Sequence, residues 1–346
     1  MQSSIIDVAK KAGVSIATVS RVINGSDKVK APTKEKVLEV VRDLKYVPNP
    51  AARGLIMKRT EAIGLLLPDL HGEFFSEIIR GADEAVQLKG YHLIVSSSHN
   101  DIKEIEAALR FMRGRVDALV VMSPMVHSEV LLENLPKSLP VVLLNCHTSN
   151  PMYDTIMTDG FTGAKEMVTY LLDQGHRKIA ILKGGDSNIE SQERLKGCRS
   201  ALSEKGIAFD PAMEFSGNFT ETSGYEQAKK IIALQDRPSA IFAFNDSMAI
   251  GAIGAIRDAG LKIPDDISIC GFDDIPIAKF LNPSLTSVRV PIHELGAMAI
   301  HRIFDRIEKK TKEASAHIYV QTALSIRESC KPIHQSVQST KEGNVA

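Results

Sequence analysis

Between Ser15 and Asn24 the chain reads SIATVSRVIN, a run rich in hydroxyls that carries one guanidinium, one carboxamide and no carboxylate. Such groups hydrogen-bond to phosphate oxygens and to base edges, whereas Ile16 and Ala17 suit apolar base features such as thymine methyls. Ser15, Thr18 and Ser20 are expected to hold register on phosphates, and Arg21 to meet a base edge or a phosphate, with Asn24 on the same face. A second set of polar residues follows apolar runs further along: Asp69, Asn145, Asn245, Asp246, Asp273 and Asp274. A carboxylate or an amide there can take paired hydrogen bonds from vicinal hydroxyls, Arg194 can supply donors, and Phe74 and Phe219 offer flat faces for a sugar ring. Some of these residue types also cap helices. Asp246 is expected to cap the helix that follows it and Asp274 to cap or turn the next segment, leaving Asn245, Arg194 and Asp273 for the ligand.

The elements that position the first set are short helices. Val8, Ala9 and Ala12, then Val14, Val19 and Val22, recur at helical spacing, and Gly13 stands where the first helix must stop. Ser15 caps the second, and a third over Thr33–Leu44 closes a small core with Val37, Leu38, Val41 and Leu44. The pattern reads as a helix-turn-helix, which lays its second helix in a major groove, or equally as a plain helical hairpin with a solvated polar face. Next, YVPNPAARGLI combines two prolines with a short apolar run, read as extended chain and then one brief helix starting near Pro50. It is too short to hold alone, since isolated helices below about 12–15 residues are marginal in water. Two readings fit it: it orders against DNA and a second copy, with Leu55 as a minor-groove wedge and Ala51 and Ala52 permitting close approach, or it is an ordinary interdomain linker with Leu55 packed on the next domain.

From Ala62 onward the second set is carried by alternating strands and helices. Ile63–Leu67, Leu93–Ser97, Leu119–Met122 and Val141–Leu144 read as buried strands, with helices over Phe75–Leu88 and Ile102–Arg113. Ile179–Leu182, Ala240–Phe244 and Ile267–Phe272 repeat the pattern, with helices over Gly163–Gln174, Arg194–Lys205, Ser223–Leu234 and Ser247–Ala259. Two such α/β units imply doubly wound parallel sheets in two lobes with a cleft between them, and ligands bind beyond the carboxyl ends of such strands.

Net charge is zero over 346 residues, yet residues 1–60 hold 12 Lys and Arg against 5 Asp and Glu, and the remainder is acidic to the same extent. The basic end is the footprint expected of a nucleic-acid partner. No apolar run reaches membrane-spanning length and no leader precedes the first helix, so a cytoplasmic location is expected. Enzyme signals are weak. Gly251 and Gly254 lie inside a helix and lack the third glycine of a dinucleotide site, and Gly184-Gly185 is followed by no phosphate-loop lysine. His293-Glu294 lacks the second His of a zinc helix, so neither a cofactor nor a metal site is expected. Cys146, Cys198, Cys270 and Cys330 are far apart and read as buried free thiols.

The runs DVAKKAGVSIATVSRVIN and TKEKVLEVVRDLKYVPNPAARGL resemble the headpiece and hinge of the LacI family of bacterial transcriptional regulators, in its catabolite-control and sugar-responsive branch. Further similar segments, among them IGLLLPDL, GHRKIAIL, FNDSMAIGAI and IPDDISICGFDD, extend the resemblance over about residues 4–328. The resemblance implies a helix-turn-helix headpiece over 1–47, a hinge helix and linker over 48–60, and a periplasmic-binding-protein-like core over 61–330. Its first lobe would be about 61–159 and 291–320 and its second about 160–290 and 321–330, with Pro291–Glu308 returning to the first lobe and a flexible tail over 331–346. It also implies a repressor that binds pseudopalindromic double-stranded DNA as a homodimer, with Ala52 and Leu55 of the hinge at the groove. The positions matching the family's effector contacts are Phe74, Asn188, Arg194, Phe219, Asn245 and Asp273, for a small molecule, a sugar or sugar derivative. Asn145 stands where sugar-responsive members often have Asp, Cys146 where an aromatic often follows, and Asn188 where purine-responsive members carry Arg. A purine is therefore disfavoured, the effector stays open, and so does the protein corepressor known in the catabolite-control branch. A transport-type solute-binding protein is the alternative, disfavoured by the basic headpiece and the want of a secretion signal.

Overall fold

A computed structural model of the chain describes residues 3–46, 59–124, 128–148, 150–309 and 315–333. The chain divides into two compact units, Met1–Glu61 and Ala62–Ala346. Residues 47–58, which include Ala52 and Leu55 of the expected hinge, and the tail 334–346 lie outside the described residues.

The first unit is a three-helix cluster of α1 (Ile5–Ala12), α2 (Ile16–Ile23) and α3 (Ala31–Asp43). Ser4 and Asp7 form a reciprocal cap at the start of α1, and Gly13 ends it in the left-handed conformation at φ 65°. Only glycine takes that turn without steric penalty. Val8, Ala9, Ala12, Val19, Val22, Val37 and Val40 form the buried core. Leu38, expected inside, is 38% exposed. The series 37, 40, 41, 44 follows the helical stripe, and position 38 lies about 100° around from 37. The third helix also begins at Ala31, two residues before the expected Thr33, because Pro32 is tolerated in a first turn.

The second unit holds two six-stranded sheets. The first runs β11-β5-β4-β3-β1-β2, from β1 (Ala62–Leu67), β2 (His92–Ser97), β3 (Ala118–Met122), β4 (Val141–Leu144), β5 (Asp154–Thr158) and β11 (His317–Val320). The second runs β12-β10-β9-β8-β6-β7, from β6 (Ile179–Lys183), β7 (Glu214–Ser216), β8 (Ala240–Ala243), β9 (Ser268–Asp273), β10 (Thr286–Arg289) and β12 (Ala323–Ser325). All pairings are parallel except β10 with β12, which is antiparallel. The central strands β1, β3, β6 and β8 are buried along their whole length, which is why they read as continuous apolar runs. Strands β5, β7, β10, β11 and β12 have no such signature, since they are short, polar or at an edge.

The helices are α4 (Glu73–Gln87), α5 (Ile102–Met112), α6 (Ser128–Asn134), α7 (Gly160–Asp173), α8 (Ile189–Glu204), α9 (Glu221–Ile232), α10 (Asp246–Asp258) and α11 (Ile292–Lys309). Three pairs, α4 with α11, α7 with α8 and α9 with α10, approach backbone to backbone. A Cβ on Gly81 would lie 1.9 Å from His293 O, one on Gly197 2.2 Å from Phe161 O, and one on Gly251 1.9 Å from Glu221 O. No larger residue fits at those crossings, which explains glycines in helix interiors that propensity disfavours. Helix α11 is held to the first sheet by Asp154, which accepts hydrogen bonds from Arg302, Arg306 and the Ala316 amide.

Candidate functional site

The exposed face of α2 carries Ser15, Ile16, Ala17, Arg21 and Asn24, with Thr18 and Ser20 half-buried beside them. Ser15 Oγ accepts from the Thr18 amide at 3.2 Å and lies 2.9 Å from Thr18 Oγ1, so the two hydroxyls at the start of α2 are linked to each other. Ile16 is 48% exposed on this face. Arg21 is the basic residue of the last turn. The headpiece residues singled out from sequence thus share one surface, whereas Ala52 and Leu55 fall outside the described residues.

In the second unit a cavity of about 330 Å³ opens between the carboxyl ends of the two sheets. Phe74, Asn188, Arg194, Phe219, Asn245 and Asp273 all line it. Phe74 comes from the first turn of α4, Asn188 and Arg194 from the start of α8, Phe219 from the loop before α9, and Asn245 and Asp273 from the ends of β8 and β9. The cavity also meets Asn145 after β4. Among its lining, Asp273, Phe219, Asn145 and Asn100 have φ of 104°, 68°, 46° and 56°. For Phe219 and Asp273 this is a strained backbone, of a kind that clusters at ligand sites.

Arg194 is the central cation. It is 5% exposed, donates through Nη1 to Phe244 O, stacks over the Phe272 ring at 3.7 Å, and places Nη2 3.7 Å from Asp273 Oδ1. Arg194 Nε, Asp273 Oδ1 and Glu190 Oε2 are buried without a hydrogen-bond partner in the protein. Burial pushes the Asp273 carboxyl up to about 7, Arg194 working against that and Glu190 adding to it. Buried polar groups are normally paired, and here three around one cavity have no hydrogen-bond partner among the described residues.

Several polar residues at strand ends serve the fold. Asn245, not Asp246, caps α10: its Oδ1 accepts from the Met248 amide at 3.0 Å while its Nδ2 donates to Phe219 O at 2.9 Å. Asp246 is fully buried within α10, where Ser287 Oγ and the Ile275 amide donate to it at 2.6 and 2.8 Å. The cap shifts because Asn245 has extended backbone, φ −154° and ψ 166°, as an N-cap requires. Asp274 neither caps nor lines the cavity, and instead binds Arg327 at 2.7 Å and Ser325 at 2.6 Å, holding β12. Asn145 accepts from the Thr158 amide at 2.9 Å and Asn188 caps α8 through the Ser191 amide at 2.8 Å. Asp69 accepts from the Leu70 and His71 amides.

Glu190 was missed from the sequence. The helix was expected to start at Arg194, but α8 starts at Ile189, where Asn188 caps it and the first turns bury the polar residues Glu190, Ser191 and Arg194 in place of an apolar stripe. Glu190 Oε1 lies 3.4 Å from His147 Nε2 across the cleft, and further bonds between the lobes run from the Ile189 amide to Pro124 O and from the Ile277 amide to Glu73. Residues 189 and 190 pair with residues more than 40 positions earlier in the chain, and no local signal marks such partners.

Among the described residues no cluster of His, Cys, Asp and Glu could hold a metal ion, and no helix is long and apolar enough to cross a membrane. All four cysteines are buried and free. Comparison with known proteins matches residues 4–49 to "Bacterial regulatory proteins, lacI family" and residues 168–330 to "Periplasmic binding protein-like domain". Catabolite control protein A of Priestia megaterium is 34% identical over 333 residues, which span 96% of this chain and 100% of that protein. The lac repressor dimer bound to operator and the anti-inducer ONPF superposes with TM-score 0.85 at 27% identity, covering 96% of this chain and 100% of that one. The transcriptional regulator CelR in its cellobiose complex gives TM-score 0.71 at 29% identity, over 95% and 100% of the two chains. With a helix-turn-helix headpiece and a two-lobed α/β core on one chain, the protein belongs to the LacI family of bacterial regulatory proteins and is a DNA-binding transcriptional repressor under small-molecule control.

Proposed function

We propose that the cavity between the lobes is the effector site, that its ligand is a sugar or sugar derivative, and that ligand binding resets the affinity of the α2 face for operator DNA. The observation that carries this is the convergence on one 330 Å³ cavity of Phe74 and Phe219 with the unpartnered Arg194 Nε and Asp273 Oδ1. Aromatic faces suit the apolar side of a pyranose, and a guanidinium with a carboxylate suits its hydroxyls. The cellobiose complex of CelR, a protein of similar fold, supports that ligand class.

In this reading Ser15, Thr18 and Ser20 contact phosphates while Ile16, Ala17, Arg21 and Asn24 meet base edges of one half-site. Two copies of the chain engage the two halves of a pseudopalindrome, an arrangement supported by the operator-bound lac repressor dimer. Ligand contacts that differ between lobe arrangements are converted into an operator affinity change, typically about 1–3 kcal/mol. A thermal-shift and calorimetric screen of neutral, amino and phosphorylated sugars, followed by operator titration with and without the hit, tests the proposal. A hit whose binding is lost in Arg194→Ala supports it, and a hit that binds Arg194→Ala and wild type alike removes the cavity from the mechanism.

A further inference from the structure

Charge in the cleft is one-sided. Asp69, Glu73, Glu190, Glu221 and Asp273 line the cavity, against Arg194 as the one Lys or Arg among the described lining residues. Three of these carboxylates are committed within the protein: Asp69 to the Leu70 and His71 amides, Glu73 to the Ile277 amide, and Glu221 to Ser247 Oγ. Glu190 and Asp273 remain, 6% and 5% exposed, each with an oxygen that no protein group satisfies. Arg194 is already engaged with Phe244 O, with the Phe272 ring and with Asp273. Glu190 and Arg194 stand one helical turn apart on α8, and Gly160 beneath them leaves the space, since a Cβ there would lie 3.3 Å from Arg194 Cγ and 3.6 Å from Glu190 Oε2.

Glu190 Oε2 and Asp273 Oδ1 are unsatisfied carboxyl oxygens in a desolvated site, and of the Arg194 guanidinium only Nε has no partner, so a cationic donor relieves the site and an anion aggravates it. The surroundings already respond in that direction: Glu190 holds the His147 imidazole above its ordinary pKa, and Asp273 is raised by burial and further by Glu190. We infer that the effector is a polyhydroxylated ligand bearing a cationic nitrogen, an amino sugar, whose ammonium group is held by Glu190 Oε2 with Asp273 on its adjacent hydroxyls. Sugar phosphates and sugar acids are excluded by the same carboxylates. This rests on the cavity being the effector site.

The test is calorimetry on the full-length protein with matched probes: glucose, glucosamine, N-acetylglucosamine and glucose 6-phosphate, and the galactose and mannose counterparts of each. Within one stereochemical series the amine should bind about tenfold or more tighter than the hydroxyl and acetamido forms, with the phosphate weakest. In Glu190→Gln, which keeps the shape and removes the charge, the ratio of amine to acetamido affinity should fall to within about twofold. An amine preference that survives Glu190→Gln, or a phosphate that binds as tightly as the amine, overturns the inference and leaves the cavity as the effector site. If no sugar of any series binds, the sugar-site reading fails and the inference falls with it.

Discussion

Arg194 Nη2 stands 3.7 Å from Asp273 Oδ1, opposite charges buried side by side at 5% exposure each with no hydrogen bond closing between them. A pair so loosely joined in a dry site keeps both partners available to a third group.

Replacing Arg194 with Ala should abolish the response to effector and destabilise the core. The stability loss is at most about 3–5 kcal/mol, the range for breaking a buried pair, because Asp273 can take up a proton in compensation. Operator binding without ligand should persist. Denaturant unfolding and operator titration on one preparation check both halves, and a variant that still responds with wild-type affinity sinks the assignment.

Stability should depend on pH through Asp273. Its carboxyl is raised by burial to about 7 in the folded protein, from an ordinary 3.8, so the contribution is fully present below pH 3.8 and is lost as pH rises toward 7. At about 1.4 kcal/mol per unit the loss is on the order of a few kcal/mol. Asp273→Asn removes this titration, so its stability relative to wild type should climb between pH 4 and 7 and level off above. Asp246 is raised by burial and then by the Asp273 charge, so Asp273→Asn also relieves Asp246 and adds to the same trend. Parallel unfolding curves across that window would contradict the assignment.

Asp154 behaves oppositely. Although burial acts to raise it, bonds from Arg306, Arg302 and the Ala316 amide bring its carboxyl down to about 2. Its stabilisation is therefore complete above pH 3.8 and is lost as pH falls toward 2. Asp154→Ala should cost about 3–5 kcal/mol at neutral pH by leaving two half-buried guanidinium groups without their carboxylate. Chemical denaturation at pH 7 measures it, and a loss under about 1 kcal/mol would show that α11 is held by packing alone.

On the headpiece, Arg21→Ala should weaken operator binding by about 1–3 kcal/mol without changing helix content, because Arg21 is exposed and outside the α2 core. Ser15→Ala should act differently. Loss of the cap on the Thr18 amide destabilises α2 by about 1 kcal/mol, visible in headpiece melting even without DNA. Equal melting of Ser15→Ala and wild type, together with weaker binding, would make Ser15 a phosphate contact only.

Much of this molecule is readable from neighbouring residues. Gly13 and Ser15 announce the end of α1 and the start of α2 because caps and left-handed turns act over three or four residues. The central strands announce themselves because burial on both faces demands unbroken apolar runs. Of the six cavity residues named from the sequence, five stood out by their chemistry and Asn188 by likeness to a known family, and the fold gathers all six around one cavity. What the chain hides is non-local. Strands β5, β7 and β10 to β12 are defined by partners distant in sequence, as when Thr155 pairs with His317. Asp246 is a clamp and not a cap because Ser287 and Ile275 reach it from other elements. Glu190 entered the site through the first turns of a helix whose buried residues there are polar, a stretch that no hydrophobic period could reveal and that tertiary packing alone aligned with the cleft.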